Sequence, residues 1–163
     1  MIVLGALASA SPADAQTRIV SAGLSGGSGL SVGSGQGMSV QRRTPVFMDI
    51  HFRTWSSEDP SVALGGSVRV EVDGRSSVAI VPRAEYQLEL GPVILRPGIG
   101  APIFFAPFSM AGVEGTIGAR LALTGPLGVV GTFAVDAFFF GSDVPDKSVV
   151  LMFNGTLGID VQF

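Results

Sequence analysis

The 163-residue chain has no cysteine. This absence removes disulfides, thiolate metal sites, iron–sulfur ligation and thiol catalysis together. Histidine occurs once, at position 51, so a histidine-rich metal site is excluded as well. Charge is scarce: only 14% of residues are Asp, Glu, Lys or Arg, against about 25% in soluble domains. The formal net charge is −3, and the chain has no basic footprint for nucleic acid. Beyond the N-terminus no long apolar run is free of charges and helix breakers, so a helical membrane span is not expected. Apolar residues, in contrast, make up 47% of the chain, and mean hydropathy is +0.51. Such hydrophobicity excludes a disordered chain and disfavours an ordinary soluble enzyme. The 23 glycines and 10 prolines disfavour helix throughout.

Residues 1–15 read as a secretory leader. A short apolar run, Ile2 to Ala10, is followed by Pro12 and a small-x-small cleavage site, Ala13-Asp14-Ala15. The positive stretch that normally opens such a leader is missing, as expected if the true start lies upstream. Residues 16–43 form a Gly/Ser-rich segment. Spaced apolar residues there (Ile19, Leu24, Leu30, Val32, Met38, Val40) predict a first strand and a glycine loop. Gly26–Gly37 lacks the Lys-Ser/Thr of a phosphate-binding loop.

From residue 44 to 163 alternation takes over, in runs 45–55, 61–73, 77–90, 92–105, 110–124, 127–140 and 148–163. The breaks carry Gly, Pro, Asp or Ser in turn roles. Every run exceeds ten residues, where strands of globular sheets average about 5–6. Tilted strands that cross a bilayer need about 9–11.

The faces of these runs are chemically distinct. Side chains alternate sides along a strand. Met48, Ile50 and Phe52 oppose Asp49, His51 and Arg53. Val68, Val70 and Val72 oppose Arg69 and Glu71. Ile80, Tyr86 and Leu88 oppose Arg83, Glu85 and Glu89. Val113, Ile117 and Leu121 oppose Glu114 and Arg120. Phe133 and Val135 oppose Asp136, and Leu157, Ile159 and Val161 oppose Asp160. No ionisable residue falls on the apolar face. A soluble barrel would turn that face inward, and a membrane barrel would turn it to lipid. The sparse charge favours lipid, where a charge at the midplane would cost about 2–4 kcal/mol. The run 92–105 fits less well. Arg96 lies on its polar face, but Pro97 and Pro102 interrupt it, and Pro82 interrupts its neighbour. In a closed barrel such prolines are expected at bulges or rims.

The chain ends Thr156-Leu-Gly-Ile-Asp-Val-Gln-Phe163. Thr156, Gly158, Val161 and Phe163 resemble the C-terminal insertion signal of bacterial outer-membrane β-barrels. Length and run count are similar to the small eight-stranded barrels of the OmpX/OmpA type. The fold class expected is therefore all-β, an antiparallel up-and-down transmembrane barrel of eight strands, with the eighth strand drawn from the Gly-rich stretch. The resemblance implies the bacterial outer membrane as location, its lipids as surroundings, and the barrel-insertion machinery as a partner through the last strand. An envelope protein is a further possible partner.

Candidate chemistry is thin. The lumen set is Asp49, His51, Arg53, Arg69, Glu71, Arg83, Glu85, Glu89, Arg96, Glu114, Arg120, Asp136 and Asp160. An eight-stranded barrel is only wide enough for side chains to fill it, so mixed signs predict a plug of ion pairs, with no pore and no catalysis. The alternative is a lipid-modifying or lipid-binding barrel using His51 as a catalytic base, although no G-x-S-x-G elbow accompanies it. A soluble secreted barrel holding an apolar ligand is the third reading. No cofactor or metal is expected; Asp143 and Asp146 read as a solvated loop. Trp55, Tyr86, Phe104, Phe105, Phe108, Phe138, Phe139, Phe140 and Phe163 lie near run ends, as aromatic girdles would.

Overall fold

The computed structural model describes residues 20–35, 38–55, 59–74, 76–146 and 148–163. The leader reading, residues 1–15, lies outside them. The described residues contain eleven strands and no helix. They are β1 (Val20–Gly35), β2 (Met38–Arg43), β3 (Phe47–Trp55), β4 (Val62–Glu71), β5 (Val78–Tyr86), β6 (Leu88–Leu90), β7 (Val93–Gly100), β8 (Ile103–Ala106), β9 (Met110–Ala122), β10 (Leu127–Phe140) and β11 (Val149–Gln162).

All pairings are antiparallel and the sheet closes on itself. Going round, β1 is followed by β3, β4, β5, the β7–β8 pair, β9, β10 and β11, and β11 returns to β1. These are eight walls, the fold predicted from the alternating runs. At the seam, Phe163 N–H donates to the Val20 carbonyl at 2.8 Å. The first wall is the Gly-rich segment itself, which stays extended as far as Gly35.

Two walls are composite. β2 and β3 are interrupted at Thr44-Pro45-Val46. The register moves there from Leu30↔Arg43 to Gly27↔Phe47, so three residues face two and Pro45 sits at a bulge. β7 and β8 are interrupted at Ala101-Pro102. Here the register does not move: Arg83↔Gly100 continues into Ile80↔Ile103. Pro82 and Pro102 therefore open a gap in the ladder without shifting it. The Pro82 carbonyl still accepts from Ala101 N–H at 3.1 Å. For Pro82 and Pro102 the expectation of a bulge or rim is corrected, because two donor-less residues brought side by side weaken a ladder without bending it.

The outward belt is apolar. Ile50, Phe52, Leu64, Val72, Ile99, Val113, Ile117, Leu157 and Ile159 are all exposed. In β3 burial alternates strictly from Phe47 to Trp55. The girdle expectation holds for Tyr86, Phe105, Phe139, Phe140 and Phe163, which are exposed. It fails for Trp55, Phe104 and Phe138, which are buried. Parity decides where these rings point, except that Phe140, of the same parity as Phe138, is exposed beyond the register shift between the two.

Residues 72–74, 76–77, 107–109, 141–146 and 148 lie at one end of the barrel, with the end of β1. Both ends of the described chain and the turns at Gly91 and Gly125 lie at the other. Positive φ at Gly74, Gly91 and Gly125 explains glycine at these tight reversals.

Candidate functional site

The chemistry of this molecule is inside the barrel, in three tiers. The tier nearest the loop end is apolar. Ala79, Phe104, Met110, Phe138 and Val150 form one cluster, with Phe108, Val144 and Met152 packed against it. The Phe104 ring lies 5.8 Å from Phe108 and 5.7 Å edge-on from Phe138. This cluster lies at the mouth, between segments 107–109 and 141–146.

Below it lies an acid-rich tier. Arg69 forks onto Asp49 through two hydrogen bonds of 2.9 and 3.0 Å. It also stands 3.8 Å from Asp136 and lies over the Phe47 ring at 4.1 Å. Arg83 forks onto Glu114 at 2.6 and 2.9 Å. Asn154 donates to Asp136 at 2.7 Å, and Glu71 accepts from the Ser77 N–H at 3.3 Å.

The third tier, toward the chain ends, is base-rich. Arg53 donates to Glu85 at 2.6 Å. Asp160 accepts from Arg120 at 2.6 Å and from Arg96 at 3.4 Å. Arg96 also donates to Gln87 at 3.3 Å and lies 5.8 Å from the Trp55 ring centre.

Such burial has a physical logic. Taking ions out of water is costly, and it is offset only when each charge meets a partner with good geometry. Two-point Arg–carboxylate forks provide it. Space is made by inward-facing glycines opposite the large groups. A Cβ on Gly128 would stand 2.6 Å from the Arg120 guanidinium carbon. One on Gly100 would meet Glu114 at 2.8 Å, one on Gly29 Asn154 at 2.7 Å, and one on Gly23 would collide with the His51 ring. The Gly-rich first strand is thus the thin wall against which polar side chains lie. The glycines at alternate positions (23, 27 and 29) are the sequence signal for this.

The sequence-derived lumen set divides plainly. Asp49, His51, Arg53, Arg69, Glu71, Glu85, Arg96, Glu114, Arg120, Asp136 and Asp160 are buried, and the Arg83 side chain is nearly so. Glu89 is the exception, and its place in the lumen is corrected: it is exposed. The chain leaves β5 at Gln87, just past the start of β4 at Val62. The following β6 pairs only with β7, in a hairpin that extends beyond the closed wall. No opposite wall encloses its inner face.

His51 is 4% exposed, and its Nε2 has no hydrogen-bond partner among the described residues. Ser67, opposite it on β4, receives a hydrogen bond from Arg83. Thr156, Gly158, Val161 and Phe163 lie on or next to β11, with Phe163 exposed at its end. Among the described residues no group of three His, Asp or Glu is arranged to hold a metal ion.

No protein-family model and no curated protein sequence matches the chain. Solved structures do. Neisserial surface protein A is similar with a TM-score of 0.60 and 12% identity, over 88% of this chain and 97% of that one. Ail, the attachment invasion locus protein of Yersinia pestis, is similar with a TM-score of 0.44 and 13% identity, over 90% of this chain and 99% of that one. Its complex with the heparin analogue sucrose octasulfate gives 0.41 and 13%, over 89% and 99%. The fold of this chain is that of the small eight-stranded outer-membrane β-barrels.

Proposed function

We propose that this chain is an integral protein of the bacterial outer membrane that works through its loop-end rim, as a structural or interaction protein, with its lumen closed to transport and to catalysis. The observation that carries this reading is the inversion of the barrel. Its outer belt is apolar and its interior is packed with paired charges beneath an aromatic lid. A water-soluble carrier has the opposite arrangement. His51 is enclosed between wall and plug, out of reach of a substrate, which weighs against the lipid-modifying alternative.

The rim has features suited to a partner. Among the described residues β2 is hydrogen-bonded only to β1, which leaves one strand edge open. Arg42 and Arg43 on it are exposed, and an extended segment of an envelope or external protein adds readily to such an edge. The last strand, with Thr156, Gly158, Val161 and Phe163, is the segment the barrel-insertion machinery would read.

The absence of cysteine makes the test direct. Single cysteines at Ser142 and at Thr124 are treated with a membrane-impermeant maleimide in intact cells. Labelling at Ser142 alone, with Thr124 reacting only after permeabilisation, is the expected result. In planar bilayers the purified barrel is expected to show no channel steps. Equal labelling at both sites, or steady conductance, would overturn the reading.

A further inference from the structure

We infer that the base-rich tier of the lumen is a binding site for a small inorganic anion of halide size, held by Arg53, Arg96 and the indole N–H of Trp55. The inference depends on the fold and its plugged interior, and not on which membrane holds the barrel.

Charge is the first argument. This tier contains three arginines (Arg53, Arg96, Arg120) and two carboxylates (Glu85, Asp160), all buried. The arginines outnumber the carboxylates by one, Arg96 and Arg120 sharing Asp160. The tier above it has the reverse imbalance, with Asp49, Glu71, Glu114 and Asp136 against Arg69 and Arg83.

Donors are the second argument. Among the described residues Arg53 Nη1, Arg96 Nη2 and Trp55 Nε1 are buried and have no hydrogen-bond acceptor. All three can only donate. The unmatched carboxylate atom, Asp136 Oδ1, belongs to the other tier. Arginine Nη1 of residue 53 and Nη2 of residue 96 are the atoms left over after Glu85, Gln87 and Asp160 have been served.

Proximity is the third argument. Trp55 follows Arg53 by two residues on the same inward face of β3. The Arg96 guanidinium reaches across the lumen to 5.8 Å from the Trp55 ring centre. On β4 the residues beside Arg53 and Trp55 are Gly65 and Ala63. Unpartnered donors alone would suit a water molecule. Unpartnered donors together with an unbalanced positive charge suit an anion, which satisfies both at once.

Trp55 is the only tryptophan, so the site reports on itself. The barrel is refolded into detergent micelles at constant ionic strength with sodium bromide replacing sodium gluconate, so that access does not limit occupancy. Trp55 emission is then read, with bromide as the quenching probe. A bound anion gives a saturable fall, with half-saturation at about 10 mM or below, as a few charge-assisted hydrogen bonds would produce. Added chloride should restore the emission. Arg96→Gln, shown to be folded by its gel shift on heating, should raise the half-saturation at least about tenfold. Quenching linear in bromide and indifferent to chloride would overturn the site, and would fit water alone in this tier. So would an Arg96→Gln barrel that titrates like the parent. Should that variant fail to fold, the chloride competition in the parent protein decides by itself.

Discussion

Placing an arginine at Ile117 distinguishes the two solvents that the outward face could meet. Ile117 is 53% exposed and points away from the lumen on β9. It lies five positions before the last residue of that strand, Ala122. At a rise of about 3.4 Å per residue and a tilt of about 40°, five residues climb about 13 Å along the barrel axis. That is the middle of an apolar band about 25 Å tall. In water, an arginine on an exposed strand position changes stability by no more than about 0.5 kcal/mol. In lipid at the midplane it costs about 2–4 kcal/mol, falling to about 0–1 near the interface. Leu123, just beyond β9 and also exposed, is the matched control. Ile117→Arg is therefore expected to cost about 2 kcal/mol or more beyond Leu123→Arg, roughly 30-fold in the folding equilibrium. The assay is reversible guanidinium unfolding from phosphatidylcholine vesicles, followed by Trp55 emission and by gel mobility. Equal costs at the two positions, or a cost below about 0.5 kcal/mol at Ile117 in a folded barrel, would refute the assignment of that face to lipid.

Removing Asp160 leaves Arg96 and Arg120 without their shared carboxylate; Asp160→Asn should destabilise by about 3–5 kcal/mol, and a neutral result in vesicle unfolding would contradict the ion-pair plug. Glu85→Ala should behave similarly through Arg53, whereas Glu89→Ala, on the exposed β6 hairpin, should stay within about 0.5 kcal/mol; the reverse order would restore Glu89 to the lumen. Gly128→Ala places a Cβ against the Arg120 guanidinium and should cost about 1–3 kcal/mol by overpacking. Gly115→Ala projects into open space and should be close to neutral by the same unfolding measurement.

Much of this fold was legible because a barrel wall has only two sides and a period of two. Asp49, His51 and Arg53 could be assigned inward from parity alone, and so could Glu114, Arg120 and Asp160. The rest depended on where walls begin and end. Alternation runs unbroken from Arg83 through Glu85 and Gln87 to Glu89, and no Gly or Pro intervenes before Gly91. Nothing local marks the point at which β4 stops covering that wall, so Glu89 read as luminal. The rings of Trp55, Phe104 and Phe138 lie near strand ends, where a girdle is expected, but their parity turns them inward. The register of the prolines was out of reach, since Pro82 and Pro102 neutralise each other only because the fold sets them on adjacent walls. The division of the lumen into acid-rich and base-rich tiers was equally hidden. It follows from barrel stagger, which brings Arg96 to Asp160 across 64 positions of chain.

Gel mobility of the protein extracted from outer-membrane fractions, unheated and boiled, tests the closed membrane barrel most directly. A compact band that sediments with the outer membrane and slows on boiling is the expected result. Recovery from the soluble periplasmic fraction without detergent, with the same mobility before and after heating, would contradict it.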